Sequence, residues 1–226
     1  MQLDKLRTAI QEYKQLVQSP DYTPGLKWAA TKQFQNHWKL LFTDLPEMYN
    51  NSINDRFIER FWGHRVIHPK AAMTLLIKYQ PEQMEAAFRD LLNEEVQVER
   101  RIGRFLFMVD ALLSDYKRAH ENLNNHLHDG LKMISVYLSF AYPDRYALFD
   151  YPPFEVLMKR LGVVNIPLAN DLERYTKILK NINRFLLKDE ALIAAMQPHL
   201  ERHDFYRGDS LLMAQDFVWW MGGQDH

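Results

Sequence analysis

Apolar residues recur at threes and fours along most of this chain. Leu3, Leu6, Ile10, Tyr13 and Val17 give a first helix one apolar face, because 3.6 residues complete a turn. Pro24 and Gly25 break the chain before a second helix carrying Trp28, Phe34, Trp38 and Phe42. Asp44 caps a third, with Pro46 in its first turn and Glu47 at the capping-box position. Pro69 and Pro81 sit just inside two short helices holding Met73, Leu76 and Ile77, then Met84, Phe88 and Leu91. The longest amphipathic run is Val98, Ile102, Phe105, Val109, Leu112, Leu113 and Tyr116. A polar link at 119–126 leads to an apolar helix that ends in the corner Tyr142-Pro143-Asp144-Arg145-Tyr146. Asn170 with Glu173 reads as another capping box, opening a helix with Leu172, Tyr175, Ile178, Leu179, Ile182 and Phe185, and two further helices follow Asp189 and Asp209.

Strand-like runs are confined to 65–68 and 163–166. The pattern therefore predicts an all-α protein of about ten helices. Residues 1–226 form one helical domain in this reading, with a seam near 119–126 where it would divide into two packed helical subdomains. No repeat of fixed period and no low-complexity segment interrupts it.

Composition narrows the classes. The 226 residues are 47% hydrophobic and 13% aromatic, enough to enclose a sizeable core. A net charge of -1 gives no global electrostatic case for nucleic acid or an acidic membrane, so such binding needs a local patch. With no cysteine there is no disulfide, no thiol nucleophile and no Cys-based zinc site. The first helix carries charges where a signal peptide needs an apolar stretch. No window approaches the ~18 uncharged apolar residues of a membrane span. A cytoplasmic protein without a membrane partner is the expectation.

Candidate chemistry is sparse. Neither GxxxxGK[ST] nor GxGxxG occurs, so the backbone donors of a phosphate-binding loop are missing, and HExxH is absent too. Glu12-Tyr13-Lys14 matches the Glu-x-Lys of restriction-type nucleases but falls on a helix rather than a strand. His120, His126, His128 and Asp129 make one metal-like cluster; a solvated connector with a capping residue is the plainer account. Glu121 to His126 has the spacing of the Arg-polar-x-x-x-His motif of HEPN ribonucleases, with Glu in place of Arg. A carboxylate there would repel the scissile phosphate. No catalytic residue, metal ligand or cofactor is assigned.

Two groups of residues suggest binding instead. Arg100, Arg101 and Arg104 form a local basic cluster, with Glu94, Glu95 and Glu99 in reach for pairing. Lys32, with Trp28 and Trp38, lies in a mildly basic N-terminal stretch suited to charge and stacking contacts. Tyr142, Arg145 and Tyr146 occupy the proline corner, where they either brace two helices or line an aromatic pocket. Near the C-terminus, adjacent Trp219 and Trp220 cannot both face one core from one helix, so one belongs at a rim, available to a partner.

Several segments together resemble the N-terminal helical region of McrBC-type 5-methylcytosine-specific restriction ATPases/GTPases of the AAA+ class. They are Leu26-Lys27-Trp28 with Phe34-Gln35-Asn36-His37-Trp38, Pro81-Glu82-Gln83-Met84 leading to Phe88-Arg89-Asp90-Leu91-Leu92-Asn93-Glu94, and Arg101-Ile102-Gly103-Arg104-Phe105. Ser135 to Tyr146 and Ala214 to Trp220 complete the likeness, which spans roughly 26 to 220. The resemblance implies a recognition or interaction module of a prokaryotic restriction or anti-phage defence system. The motor and its phosphate loop are absent from this sequence, so it implies recognition without nucleotide hydrolysis or cleavage. Under this reading Trp28, Lys32, Trp38, Arg100, Arg101, Arg104, Tyr142, Arg145 and Tyr146 contact DNA or RNA. Trp219 and Trp220 dock an AAA+ motor protein or a following domain. A protein-interaction adaptor without nucleic-acid contact is the second expectation, and a weak HEPN-like ribonuclease the third.

Overall fold

A computed structural model describes residues 1–39, 44–53, 69–120, 130–202 and 204–223. Among these the protein is all-α, with eleven helices. They are α1 (Leu3–Val17), α2 (Lys27–His37), α3 (Leu45–Ile53), α4 (Pro69–Tyr79), α5 (Pro81–Leu91), α6 (Val98–Ala119), α7 (Gly130–Ala141), α8 (Tyr151–Arg160), α9 (Leu172–Leu186), α10 (Glu190–Leu200) and α11 (Leu212–Gly222). No helix among the described residues is long and apolar enough to cross a membrane.

The capping chemistry explains several boundaries. Asp44 Oδ1 accepts from the Glu47 backbone N–H at 2.9 Å, and Pro81 opens α5, where its missing N–H costs nothing. Two local expectations are corrected. The cap of α9 is Asp171, whose carboxylate accepts from the Arg174 N–H, rather than Asn170; the helix enters one residue later. The run 163–166 is irregular backbone, not a strand, between Gly162 (φ +67°) and α9. The strand-like run 65–68 lies outside the described residues.

The helices divide into two compact units, unit 1 of Met1–Ala29 with Tyr142–His226 and unit 2 of Ala30–Ala141. The division thus falls after Ala29 and after Ala141, whereas the expected seam lay near 119–126, of which 121–126 is outside the described residues.

Unit 2 is organised around Phe88. Its ring meets Trp38 at 5.3 Å, Tyr49 at 6.0 Å, Phe105 at 5.1 Å and Tyr137 at 5.1 Å between centroids, mostly edge-on, as aromatic quadrupoles prefer. Tyr49 and Tyr137 satisfy each other through a 2.8 Å hydroxyl–hydroxyl bond. Burial pushes both phenols above their ordinary range. Arg101 is also part of this interior, 1% exposed, donating at 2.7 Å both to the Leu91 carbonyl and to Glu94 Oε1.

Unit 1 packs α11 against α1, α8 and α9, and α1 also meets α10. Phe154 and Phe149 lie on Tyr175 at 4.6 and 4.9 Å, while the Tyr175 hydroxyl donates to the Leu148 carbonyl at 2.8 Å. Gly222 permits α11 to reach α8: a Cβ there would overlap the Pro153 carbonyl oxygen and stand 2.8 Å from its carbon.

Candidate functional site

Unit 1 contains an open pocket of about 740 Å³, within the size range of natural ligand sites. The turn at Tyr142–Tyr146 and the segment 201–211 frame it. The corner is closed by two bonds to the Tyr142 carbonyl, from the Arg145 and Tyr146 N–H groups at 3.0 Å. Three bonds pin the later segment to its surroundings and a fourth braces it internally. Tyr206 N–H donates to the Trp28 carbonyl at 3.1 Å, and Leu211 N–H donates to the Pro143 carbonyl at 2.7 Å. Asn183 Nδ2 donates to the Ser210 carbonyl at 3.1 Å, and Arg207 donates to the Glu201 carbonyl at 2.7 Å.

The floor is apolar, made by Trp28, Met196, Leu211 and Met213, all buried. Leu187 stands at the mouth, 56% exposed. The charged groups on the wall are the exposed carboxylates Asp144, Glu201 and Asp209 and one guanidinium, Arg207. Asp144 pairs at 3.8 Å with Arg145, just outside the lining, so Glu201 and Asp209 against Arg207 leave the wall net negative. Asn183 lines the same wall, 8% exposed, and its Oδ1 is a buried acceptor without a hydrogen-bond partner among the described residues. Such an atom costs about 1–3 kcal/mol relative to a satisfied one.

A buried polar cluster joins α1, the following turn at Tyr22, the start of α2 at Lys27 and α11 within the same unit. Asp216 Oδ2 accepts from the Tyr13 hydroxyl at 2.7 Å and from the Tyr22 hydroxyl at 2.8 Å. Lys27 Nζ lies 3.7 Å from Asp216 Oδ1. Burial, then the Asp216 charge, raises both phenols far above their usual range. Burial lowers the Lys27 ammonium, against the opposing pull of Asp216 and Asp150. Lys27 Nζ also sits 5.4 Å from the centre of the Trp219 ring. This cluster is enclosed: Asp216 is 0% exposed, so it organises the helices and presents nothing to solvent.

The residues expected to contact nucleic acid fall in different places. Trp38, Lys32, Arg100, Arg101 and Arg104 belong to unit 2; Trp28, Tyr142, Arg145 and Tyr146 belong to unit 1. Trp28 is buried and stacks on Phe205 at 6.4 Å, and Trp38 is buried against Phe34 at 4.9 Å. With Arg101 enclosed as well, Trp38 and Arg101 offer no face to a base or phosphate, and Trp28 reaches solvent only at the pocket floor. Arg104 is exposed but engaged by Asp90 at 2.7 Å, a partner the expected Glu pairing did not include. Lys32 and Arg100 are exposed on unit 2. Arg145 is exposed over the Tyr142 ring, 5.7 Å from its centre, and Tyr142 and Tyr146 are half-buried, edge to face at 6.4 Å.

Trp219 is 45% exposed, and Trp220 is half-buried behind it at 4.8 Å. Glu12-Tyr13-Lys14 is absorbed into packing, with Glu12 paired to Arg160, Tyr13 bound to Asp216 and Lys14 bound to Asp189. His120 is exposed and stacks on Tyr116 at 4.1 Å. Glu121, His126, His128 and Asp129 lie outside the described residues; among those described, no group of three or more His, Cys, Asp or Glu side chains is placed to hold a metal. The pocket residues Asn183, Glu201 and Asp209 were not singled out by the sequence. Their one signal is the dense turn-forming stretch Tyr206-Arg207-Gly208-Asp209.

Comparison with family models, with curated proteins and with solved structures finds no match to this chain.

Proposed function

We propose that this protein is a non-catalytic helical recognition module that couples to a partner protein through unit 1. The pocket carries the reading: an apolar floor open to solvent, walled by carboxylates, on a frame held by four hydrogen bonds. An acidic wall repels phosphate and leaves a protein surface as the better complement. Exposed Trp219 adds an aromatic anchor of the kind enriched at interfaces. The McrBC-type resemblance supports a restriction or defence setting, with an AAA+ motor protein or a following domain as the partner.

Site-specific photo-crosslinking tests this. The photoreactive amino acid p-benzoylphenylalanine at position 187 or 219, in cells that make the protein naturally, is expected to capture a discrete protein. Position 107 on unit 2 serves as the comparison. Nuclease-sensitive adducts alone, or no adduct at either unit 1 position, would overturn the proposal.

A second reading rests on unit 2. Phe107 is 75% exposed, and Arg100, Gly103 and Arg104 share its face of α6 by helical spacing. An exposed ring beside a guanidinium is a stacking platform for single-stranded nucleic acid. Fluorescence anisotropy with labelled oligonucleotides across a salt series, comparing Phe107→Ala and Arg100→Glu, decides it.

A further inference from the structure

We infer that the unit 1 pocket selects a basic-apolar segment, in which an apolar side chain fills the floor and a neighbouring Arg or Lys is held by the wall. The inference rests on the partner-protein reading above and gives that partner its chemistry. Two features of the wall decide the sign of the charge. Glu201 and Asp209 are exposed and available to an incoming cation, while Asp144, also exposed, already stands 3.8 Å from the Arg145 guanidinium. Arg207, the cation of the described lining, donates to the Glu201 backbone carbonyl at 2.7 Å. An acidic segment would meet three like charges, and a purely apolar one would leave the carboxylates desolvated without compensation.

The floor sets the second requirement. Its Trp28, Met196 and Met213 surfaces are apolar, and methionine adapts its shape to the occupant. A cavity of about 740 Å³ exceeds any single side chain, so it takes two or three residues of a segment. Asn183 supplies a third feature, since its buried Oδ1 has an unfilled acceptor position in the wall. A backbone or side-chain N–H of the segment, met by a small turn of the amide, would complete it. The buried amide is independent of the acidic wall and points to the same kind of occupant, one that brings donors.

A displayed library of random decapeptides, selected on the intact chain, tests the inference. Selection is expected to enrich Arg or Lys next to Leu, Phe or Met. Glu201→Lys/Asp209→Lys, at two exposed positions, is expected to weaken a selected peptide at least tenfold while leaving the melting temperature unchanged. Asn183→Leu is expected to weaken it without altering the preference for a basic residue. A ¹⁹F label on Trp28 should shift on saturation, and the affinity should fall with salt. Enrichment of acidic or wholly apolar peptides, no enrichment, or displacement of the peptide by an oligonucleotide would overturn it. Crosslinking at position 187 that persists in Glu201→Lys/Asp209→Lys would leave the partner-protein reading standing and remove only this inference.

Discussion

The hydroxyl of Tyr13 donates to Asp216 Oδ2 at 2.7 Å, joining the first helix to the last across 203 positions of sequence. Tyr22 shares the same oxygen, and Lys27 supplies the counter-charge. An enclosed carboxylate is tolerable only with such partners, because an uncompensated buried ion costs several kcal/mol. Asp216→Ala would take a shared acceptor from two buried hydroxyls and the nearest carboxylate from Lys27. The expected loss is about 3–5 kcal/mol of unfolding free energy in urea titration. Asp216→Asn, which keeps an acceptor, is expected to lose less. Equal losses would mean that the charge carries the contribution and that a neutral acceptor does not replace it.

Gly222 tests the approach of α11 to α8. Alanine there places a methyl group into the Pro153 carbonyl, where backbone rather than a flexible side chain must yield. A loss of about 3 kcal/mol or more is expected, read as a lower melting temperature. Gly103, whose Cβ position is open, is the control: alanine there should be neutral or mildly stabilising.

Asp189 gives a pH dependence with a definite sign. Burial raises its carboxyl, but hydrogen bonds from Lys14 and the Leu192 and Ala191 N–H groups, with the Lys14 charge, outweigh this and hold it below the ordinary value. A carboxyl depressed on folding contributes stability above its unfolded pKa of about 4 and loses it as pH falls through the folded value. Asp189→Asn is therefore expected to flatten the acid limb of the stability curve below pH ~4. Near neutral pH the same variant keeps the Oδ1 cap on the Leu192 N–H and should cost up to about 1 kcal/mol through the lost Lys14 ion pair at 2.9 Å.

Arg100 and Arg101 are neighbours with opposite fates. Arg101→Ala removes a fully enclosed guanidinium from Glu94 and the Leu91 carbonyl, with an expected cost of about 3–5 kcal/mol. Arg100→Ala, on the exposed face, is expected to stay within about 0.5 kcal/mol. Chemical denaturation of the two single variants distinguishes them. A nucleic-acid binding test that includes Arg101 would therefore confuse unfolding with lost contact.

Tyr49→Phe and Tyr137→Phe each break the buried hydroxyl pair, costing about 1–3 kcal/mol, whereas the double variant removes both polar groups together. The double variant is expected to be less destabilised than the sum of the singles, in a double-mutant cycle read by urea denaturation. Strict additivity would show that the pair is not coupled.

The sequence by itself determined the helices. Spacing at threes and fours is a property of one helix face, and caps such as Asp44 and Asp189 act within four residues, so both are legible along the chain. The same local geometry kept Trp219 and Trp220 from both facing one core, and Trp219 is the exposed one. Tertiary packing alone decided which polar residues face inward. Arg101 and Arg100 look alike in sequence, yet a rotation of 100° along α6 turns one onto Leu91 and leaves the other in water. It also decided the site. Trp28, Asp144, Asn183 and the pair Glu201 and Asp209 come from four separate stretches of chain, and no local periodicity records that they meet. Convergence of that kind depends on how hydrophobic faces pack across long separations, which the pattern of any single segment does not carry.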